Sequence, residues 1–430
     1  MSEPKFKIVL INHTFQINYF SRRWQLFAQQ HPNVDVTLLA PAKYEWYAGK
    51  SYSYGKSNML EGKEREEGNF HTRLFRMKNR KFFGWVSPDF KELFLDIKPD
   101  VIYHIGTHSQ ASLKQVLELS KRYLPQTKVL AFSMRGPALN LKIKNDKCNP
   151  IKWIARRMMY IYQKQHLSYV NRHCDAFFCH YPKAVECFRQ EGYKGPIYMQ
   201  TQVGVNTEWF HYDEYARKEI REKYNLGDAY VFGSATRFNP SKGIDDIVNA
   251  LPKDGNWKYL MMGAGSDEDT LRLKALIKER GLDDKIIMTG FVDWYDMTKY
   301  WNAVDCALHL PRTTSTWEET FSLSVVQAMV TGKPIIGSDS GSVPYQIGPD
   351  GMIVPEQNIE ALREKIEWVL SHQDDAALIG DKMRMRVESC FTIQHLNDMF
   401  YETMLDVLRD KYDMNKVDMT QYTTKNYAQQ

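Results

Sequence analysis

The sequence predicts an α/β protein made of two doubly wound, mostly parallel sheets. Three observations predict it. Short apolar runs of strand length alternate with helix-length stretches, which is the rhythm of βαβ units. That rhythm runs through the first half of the chain and begins again near Tyr230. The chain is also 430 residues long, more than one core accommodates, because single cores stop growing near ~250–300 residues.

Lys7–Asn12 is a short apolar run that reads as a buried parallel strand. A helix is expected over Phe20–Gln30, and a second strand over Val34–Ala40 that stops at Pro41. The segment Lys43–Arg80 is charged with few clear periods, so loops and short strands are expected there. Asp100–His104 is a strand, Ala111–Arg122 a helix, Lys128–Phe132 a strand, and Asp175–Cys179 a further buried strand. In the second half, strands are expected at Tyr230–Ala235, Lys258–Met262, Lys285–Thr289, Asp305–His309 and Lys333–Ser338. Helices are expected over Lys242–Leu251, Asp269–Arg280, Ser322–Val330 and Ile359–Ser371, with Gly281 and Gly332 suited to left-handed caps. The helical stretch Ile393–Tyr412 is long enough to return to the first domain. The expected organisation is an N-terminal domain over 1–203 and a second domain over 204–385. A C-terminal helix over 386–413 crosses back, and a polar tail over 414–430 is expected to be disordered.

Composition narrows the function. Hydrophobic residues make up 43% and charged residues 25%, as in a soluble globular protein. The 25 Tyr and 10 Trp suit stacking on sugar rings, although core packing is their commoner use. A net charge of +5 is too mild for a nucleic-acid binder. It suits an anionic small ligand or an acidic membrane surface. The six cysteines include no CxxC, and Cys174 and Cys179, flanked by His173 and His180, lack metal-ligand spacing. Few cysteines in a long chain fit a reducing cytoplasm. No uncharged run approaches the ~18–20 residues of a membrane span, and the N-terminus lacks the apolar core of a signal peptide. A cytoplasmic protein is expected, free or peripheral on the inner face of the membrane.

Two segments carry candidate chemistry. After the strand Tyr230–Ala235 comes Thr236-Arg-Phe-Asn-Pro-Ser-Lys-Gly243. Arg237 and Lys242 flank a turn at the carboxyl end of a strand, where parallel sheets bind ligands. Arg bridges phosphate oxygens bidentately and Lys supplies a point charge. The second segment is Glu318-Glu-Thr-Phe-Ser-Leu-Ser-Val-Val-Gln327. Glu319 precedes a helix, where a carboxylate accepts sugar hydroxyls. The backbone N–H groups of Phe321, Ser322 and Leu323 would face an anion, and Gln327 lies two turns along. Each piece alone also reads as solvated loop cations or as a carboxylate complementing a helix dipole. Together they are a kit for neutralising a leaving diphosphate with cations and a helix N-terminus rather than with a metal.

Residues 230–356 resemble the C-terminal domain of the GT-B-fold retaining glycosyltransferases of group 1. The resemblance rests on Gly233–Gly243, Gly263-Ala-Gly265, Gly290-Phe-Val292, the Glu319 to Gln327 region, Gly332-Lys-Pro334, Gly341-Ser-Val-Pro344 and Asp350-Gly351, with Gly204–Phe210 resembling the interdomain segment. It implies two facing Rossmann-like domains with a cleft between them. It implies that Arg237 and Lys242 hold the donor diphosphate and that Glu319 binds donor-sugar hydroxyls. The amides of Phe321, Ser322 and Leu323 would meet sugar and phosphate, Gln327 the ribose, and the Val292 backbone the base, with Gly263 on the donor side. The sequence departs from the family at several points. Gln327 and Tyr345 stand where Glu is usual or frequent, and Asn12–Asn18 replaces a Gly-rich loop. Phe132-Ser-Met-Arg-Gly136 stands where a strand often ends in His, so Ser133 or Arg135 fills that space. His13 and His104 are further candidates on the acceptor side, and His108 follows the same strand as His104. A lone His in such a place reads equally well as structural.

The implied activity is transfer of a hexosyl unit, with retention, from a UDP- or GDP-sugar to a glycan or lipid-linked acceptor. Surface polysaccharide or glycolipid assembly is the expected setting. No obligatory metal, no other cofactor and no nucleic acid are expected. The alternative is a non-catalytic GT-B-like nucleotide-binding or scaffold protein of a glycan-assembly complex. Two stretches interleave basic and aromatic residues, Arg73–Trp85 and Leu141–Gln165. They suit an anionic membrane surface; a solvated loop and an ordinary amphipathic helix are the other reading.

Overall fold

The computed structural model describes residues 6–15, 18–45, 59–80, 84–133, 150–314 and 317–409. They form two compact units. The first takes the chain up to Gln202 and again from Asn397, and the second takes Val203–Leu396.

The first unit is built on an eight-stranded sheet. Its order is Ile197–Met199, Ala176–Cys179, Lys128–Ser133, Val101–Gly106, Phe6–Ile11, Val34–Pro41, Phe70–Phe75 and Arg65–Glu67. Only the Arg65–Glu67 edge is antiparallel. The central strands are largely apolar and buried over most of their length because both faces are covered. The strand Phe70–Phe75 runs parallel to Val34–Pro41 through six residue pairs, a full sheet member where only short strands were expected. Its apolar positions Phe70 and Phe75 are buried, while the charged Arg73 is only partly covered. That mixed pattern hides an outer strand from periodicity. A helix over Phe90–Ile97 was also unanticipated.

The core of this unit is aromatic. Phe400 lies with ring centroids 5.0 Å from Trp24, 4.9 Å from Tyr103 and 5.8 Å from Phe178. Phe400 belongs to the helix Ile393–Leu408. The buried Arg23 is satisfied within the same unit: its Nε donates to Asn397 Oδ1 at 3.1 Å and its Nη1 to the Thr201 carbonyl at 2.9 Å. Cys174 and Cys179 are buried, and burial raises both thiols, that of Cys179 to about 12, which leaves them chemically inert. Cys174 lies just before the strand Ala176–Cys179. The expected tail falls outside the described residues.

The second unit holds a six-stranded parallel sheet in the order Ile286–Gly290, Trp257–Met262, Tyr230–Ala235, Cys306–His309, Ile335–Ser338 and Met352–Val354. Strand succession therefore runs outward one way from Tyr230–Ala235 and then restarts on its other side with Cys306–His309. In doubly wound sheets this reversal opens a crevice at the carboxyl ends of the two strands, and ligands bind there. Arg237 and Lys242 follow the first of these strands, and Glu319 follows the second. Lys242 is not the first residue of a helix, as expected. It closes a 3₁₀ turn, Pro240–Lys242, and the helix Ile244–Ala250 starts only after Gly243, whose φ of 64° breaks the run. The helix Asp267–Arg280 is closed by Gly281 at φ 68°, as the sequence predicts, but starts two residues before the expected Asp269, capped by Ser266.

Candidate functional site

The first loop of the second unit is pinned by its own backbone. Thr236 N donates to the Met262 carbonyl and Phe238 N to the Ala264 carbonyl, each at 3.0 Å. The loop Thr236–Gly243 thus lies flat against Gly263-Ala-Gly265. Gly263 permits this approach: at φ 138°, a Cβ there would sit 1.9 Å from the Thr236 carbonyl oxygen. A bidentate ion pair ties the same loop to the segment after the second strand. Arg312 donates to Asp246 at 2.8 and 2.6 Å, and the Arg312 amide donates to the Ser241 carbonyl at 2.8 Å.

This fastening brings Lys242 to Glu319. Lys242 Nζ lies 2.7 Å from Glu319 Oε2, and His309 Nε2 lies 3.6 Å from the same oxygen. His309 is the last residue of the strand Cys306–His309, so strand, turn and loop meet at one carboxylate. Lys242 Nζ also sits 4.3 Å from the centroid of the Trp317 ring, where the ring face attracts a cation. All three charged or chargeable side chains are about nine-tenths buried. Burial alone would raise the Glu319 carboxyl, but His309 and Lys242 outweigh it and hold the pKa down at about 2. Glu319 is therefore an anion throughout the physiological range.

The backbone around Glu319 is fixed by Gln346, which is fully buried. Ser322 N donates to Gln346 Oε1 at 2.8 Å, and Gln346 Nε2 donates back to the Ser322 carbonyl at 2.9 Å. This corrects one expectation: the Ser322 amide is committed to Gln346 rather than turned to an anion. Phe321 sits in the same turn with its ring 5.6 Å from Phe391, and Leu323 opens the helix Leu323–Val330. Ser342 N donates to the Glu319 carbonyl at 2.8 Å. Gly341 beside it is at φ 52°, and a Cβ there would lie 2.0 Å from the Glu319 carbonyl oxygen. Gly341→Ala is expected to destabilise the unit by ~1–3 kcal/mol from backbone strain alone and to displace Glu319. Urea denaturation checks the first effect and donor turnover the second.

Gln327 is buried on that helix, and its Nε2 has no hydrogen-bond partner among the described residues. An unpaired buried amide costs ~1–3 kcal/mol, so it calls for an acceptor. Val292 is buried just after Gly290, which turns the chain at φ 75°. Arg237 is half-buried in the Lys242 loop.

Of the sequence candidates in the first unit, His13 follows the strand Phe6–Ile11 and Ser133 ends the strand Lys128–Ser133, while His104 lies within the strand Val101–Gly106. His104 is fully buried, with Nε2 2.9 Å from Ser112 Oγ, and its ring stacks on Trp85 with centroids 6.0 Å apart. Burial, helped by the nearby His13, lowers its pKa to about 3, so it is neutral. His13 packs edge-on to the same Trp85 ring, with centroids 6.4 Å apart, and burial lowers its pKa as well. Ser133 is buried too and is paired with His108, at 2.8 Å from Nδ1; His108 Nε2 in turn lies 2.6 Å from Glu191 Oε2. Arg135 lies outside the described residues.

Residues 216–386 match the sequence model of the family described as glycosyl transferases group 1. The chain carries a glycosyl transferases group 1 domain. A GDP-mannose-dependent alpha-(1-6)-phosphatidylinositol monomannoside mannosyltransferase from Mycobacterium tuberculosis (strain ATCC 25618 / H37Rv) is 28% identical over 186 residues, covering 41% of this chain and 48% of that protein. A trehalose synthase from Pyrococcus horikoshii is 28% identical over 203 residues, covering 44% and 46%. The chain thus spans about half the length of the curated relatives it matches. Among solved structures, sucrose-phosphate synthase from Thermosynechococcus elongatus superposes with a TM-score of 0.68 at 18% identity, over 95% of this chain and all 100% of that one. Anabaena HepE in complex with UDP and glucose does so with a TM-score of 0.65 at 16% identity, over 93% and 100%. At such identities the likeness is one of fold, and the fold is GT-B.

The group 1 domain therefore contains every donor-side candidate, from Arg237 to Gln327. Sequence reasoning missed three members of its centre: His309, Trp317 and Gln346. His309 had a usable signal, as a His ending a strand at the sheet's reversal point. Trp317 and Gln346 had none, since their partners lie far along the chain.

Proposed function

We propose that this protein is a retaining glycosyltransferase that moves a hexosyl unit from a UDP- or GDP-sugar to a glycan or lipid-linked acceptor, without an obligatory metal. The observation that carries the proposal is the buried Lys242–Glu319–His309 cluster at the reversal point of the sheet. Breaking a bond to a diphosphate builds negative charge on the leaving group, and the Lys242 ammonium, with Arg237 in the same loop, is positioned to offset it. The sugar develops positive charge at the same moment. Glu319, held ionised, accepts donor-sugar hydroxyls and faces that charge. Gln327 Nε2, unpartnered among the described residues, is suited to donate to a ribose oxygen. Retention follows from front-face attack within an ion pair, for which no protein nucleophile is required. The choice of UDP or GDP draws on the relatives: one is GDP-mannose-dependent by name, and HepE was solved with UDP. The proposed setting is the cytoplasm or its membrane face, in surface polysaccharide or glycolipid assembly; among the described residues no helix is long and apolar enough to cross a membrane.

The scaffold reading has one observation in its favour. The position where the family often has a free His holds Ser133, buried against His108. A panel of UDP- and GDP-sugars, followed by nucleotide release with and without cell-envelope acceptors, tests both readings. Release that depends on Lys242 and Glu319 supports transfer. Binding without release favours the scaffold, and no release or binding with any donor overturns both.

A further inference from the structure

The first unit has a concave region away from the carboxyl ends of its central strands. A cavity of about 1090 Å³ lies between the second half of the helix Pro150–His173 and the turn that follows the helix Pro182–Gln190. Asp175 and Pro196 line it, and they immediately precede the strands Ala176–Cys179 and Ile197–Met199. The cavity therefore lies at the amino ends of these parallel strands, whereas Ser133 stands at the carboxyl end of its own. Tyr160, Lys164, Ser168, Asn171 and Arg172 recur along the helix at three- and four-residue spacing, which places them on one face. The turn opposite adds Lys194. Arg189 Nη1 donates to the carbonyls of Tyr193 and Gly195 at 3.0 and 2.8 Å, and Asn171 Nδ2 donates to the Glu191 carbonyl at 2.8 Å. Both walls are thus fixed by the protein's own hydrogen bonds.

The charge in this cavity is unbalanced. Lys164, Arg172 and Lys194 are exposed, and among the described residues none of the three pairs with a carboxylate. The two carboxylates in the lining are engaged elsewhere. Asp175 accepts from Val129 N at 2.7 Å and lies 3.9 Å from Lys128 Nζ, and Glu191 Oε2 lies 2.6 Å from His108 Nε2. Three cations around one concavity suit a phosphate. Asn171 Oδ1 has no hydrogen-bond partner among the described residues. That acceptor, with the hydroxyls of Tyr160 and Ser168, suits the hydroxyls of a sugar.

We propose that this cavity is an effector site for a soluble phosphorylated sugar. The phosphate sits on Lys164, Arg172 and Lys194, and the ring hydroxyls meet Asn171, Ser168 and Tyr160. Glu191 relays occupancy to the carboxyl end of the sheet. It lines the cavity and also holds His108, whose Nδ1 lies 2.8 Å from Ser133 Oγ. A phosphate dianion in the cavity acts on the Glu191 carboxylate by like-charge repulsion, and His108 and Ser133 readjust in turn. The inference is independent of the donor site.

Calorimetric titration of the full chain tests it, using glucose 6-phosphate, mannose 6-phosphate, inorganic phosphate and glucose. At least one hexose phosphate should bind, and roughly tenfold more tightly than inorganic phosphate, the contribution of two hydroxyl contacts. Excess UDP or GDP should not displace it, which separates this site from the donor site. The exposed double variant Lys164→Gln/Lys194→Gln should unfold at the wild-type temperature and bind roughly 100-fold more weakly, the loss of two charge-assisted contacts. The His108 imidazole resonances, assigned by comparison with His108→Gln, should shift on titration of the wild type and stay still in the double variant. The proposal is overturned if no hexose phosphate binds, if inorganic phosphate binds as tightly, or if the double variant binds like the wild type. Displacement by UDP or GDP places the ligand in the donor site, and displacement by phosphatidylglycerol vesicles assigns the cavity to a lipid headgroup; either overturns it. Binding that leaves the His108 resonances unmoved overturns the relay.

Discussion

Lys242→Ala is expected to lower donor turnover by ~10²–10³-fold, the usual cost of removing one preorganised group that stabilises developing charge. The loss should fall mainly on kcat. In the proposed reaction Lys242 meets charge that grows as the glycosidic bond breaks, and an interaction made in the transition state raises kcat rather than ground-state binding. The variant carries a second cost. Lys242 Nζ sits 2.7 Å from Glu319 in a site that is about nine-tenths buried. Breaking such a pair from one side strands the other charge and costs ~3–5 kcal/mol. His309, at 3.6 Å from Glu319, limits that loss. Lys242→Arg should rescue neither effect fully, since a planar fork cannot occupy the place of a compact ammonium over Trp317. Steady-state nucleotide release and urea denaturation of the three proteins check the pair of effects. Wild-type kcat in Lys242→Ala would remove Lys242 from the chemistry.

Glu319→Gln is expected to change both activity and the acid limb of stability. The Glu319 carboxyl titrates at about 2 in the folded protein against an ordinary value of 4.5. A depressed carboxyl contributes stability that is fully present above the unfolded value and is lost as pH falls through the folded one. That gap corresponds to about 3 kcal/mol. The stability difference between wild type and Glu319→Gln should therefore be largest near neutral pH. It should shrink between pH 4.5 and about 2, the two values that bound the titration. Urea midpoints of the two proteins across that window give the answer. Parallel acid profiles would mean that Glu319 is not held ionised by its neighbours. Turnover should fall as well, because an amide cannot face the positive charge that develops on the sugar.

Much of the architecture was legible because buried parallel strands announce themselves. Ile8–Ile11, Tyr230–Phe232 and Cys306–Leu308 are short, buried apolar runs, and glycines such as Gly281 mark where helices end. Phe70–Phe75 was not legible, because an outer strand keeps charged residues such as Arg73 among its apolar ones. The turn at Lys242 was misplaced by two residues for a local reason: Gly243 interrupts what composition reads as one helix. At the site, Arg237, Lys242 and Glu319 were readable from their place after strands. Their convergence was only partly so. The contact of Lys242 with Glu319 depends on Arg312 clamping Asp246, and the shape of the Glu319 turn depends on Gln346. These are long-range packing facts that no local pattern encodes. The same limit explains the first unit, where the Ser133–His108–Glu191 chain joins residues from three separate segments.

The central claim is that the group 1 domain holds a nucleotide diphosphate through Lys242 and its neighbours without a metal. Calorimetric titration of the protein with UDP and with GDP, in buffer containing a chelator, tests it most directly. One of the two nucleotides should bind the wild type and bind Lys242→Ala at least about tenfold more weakly, as loss of one charge-assisted contact of ~1.5–3 kcal/mol requires. Binding that appears only when a divalent cation is restored, or that is equal in the wild type and Lys242→Ala, would contradict it.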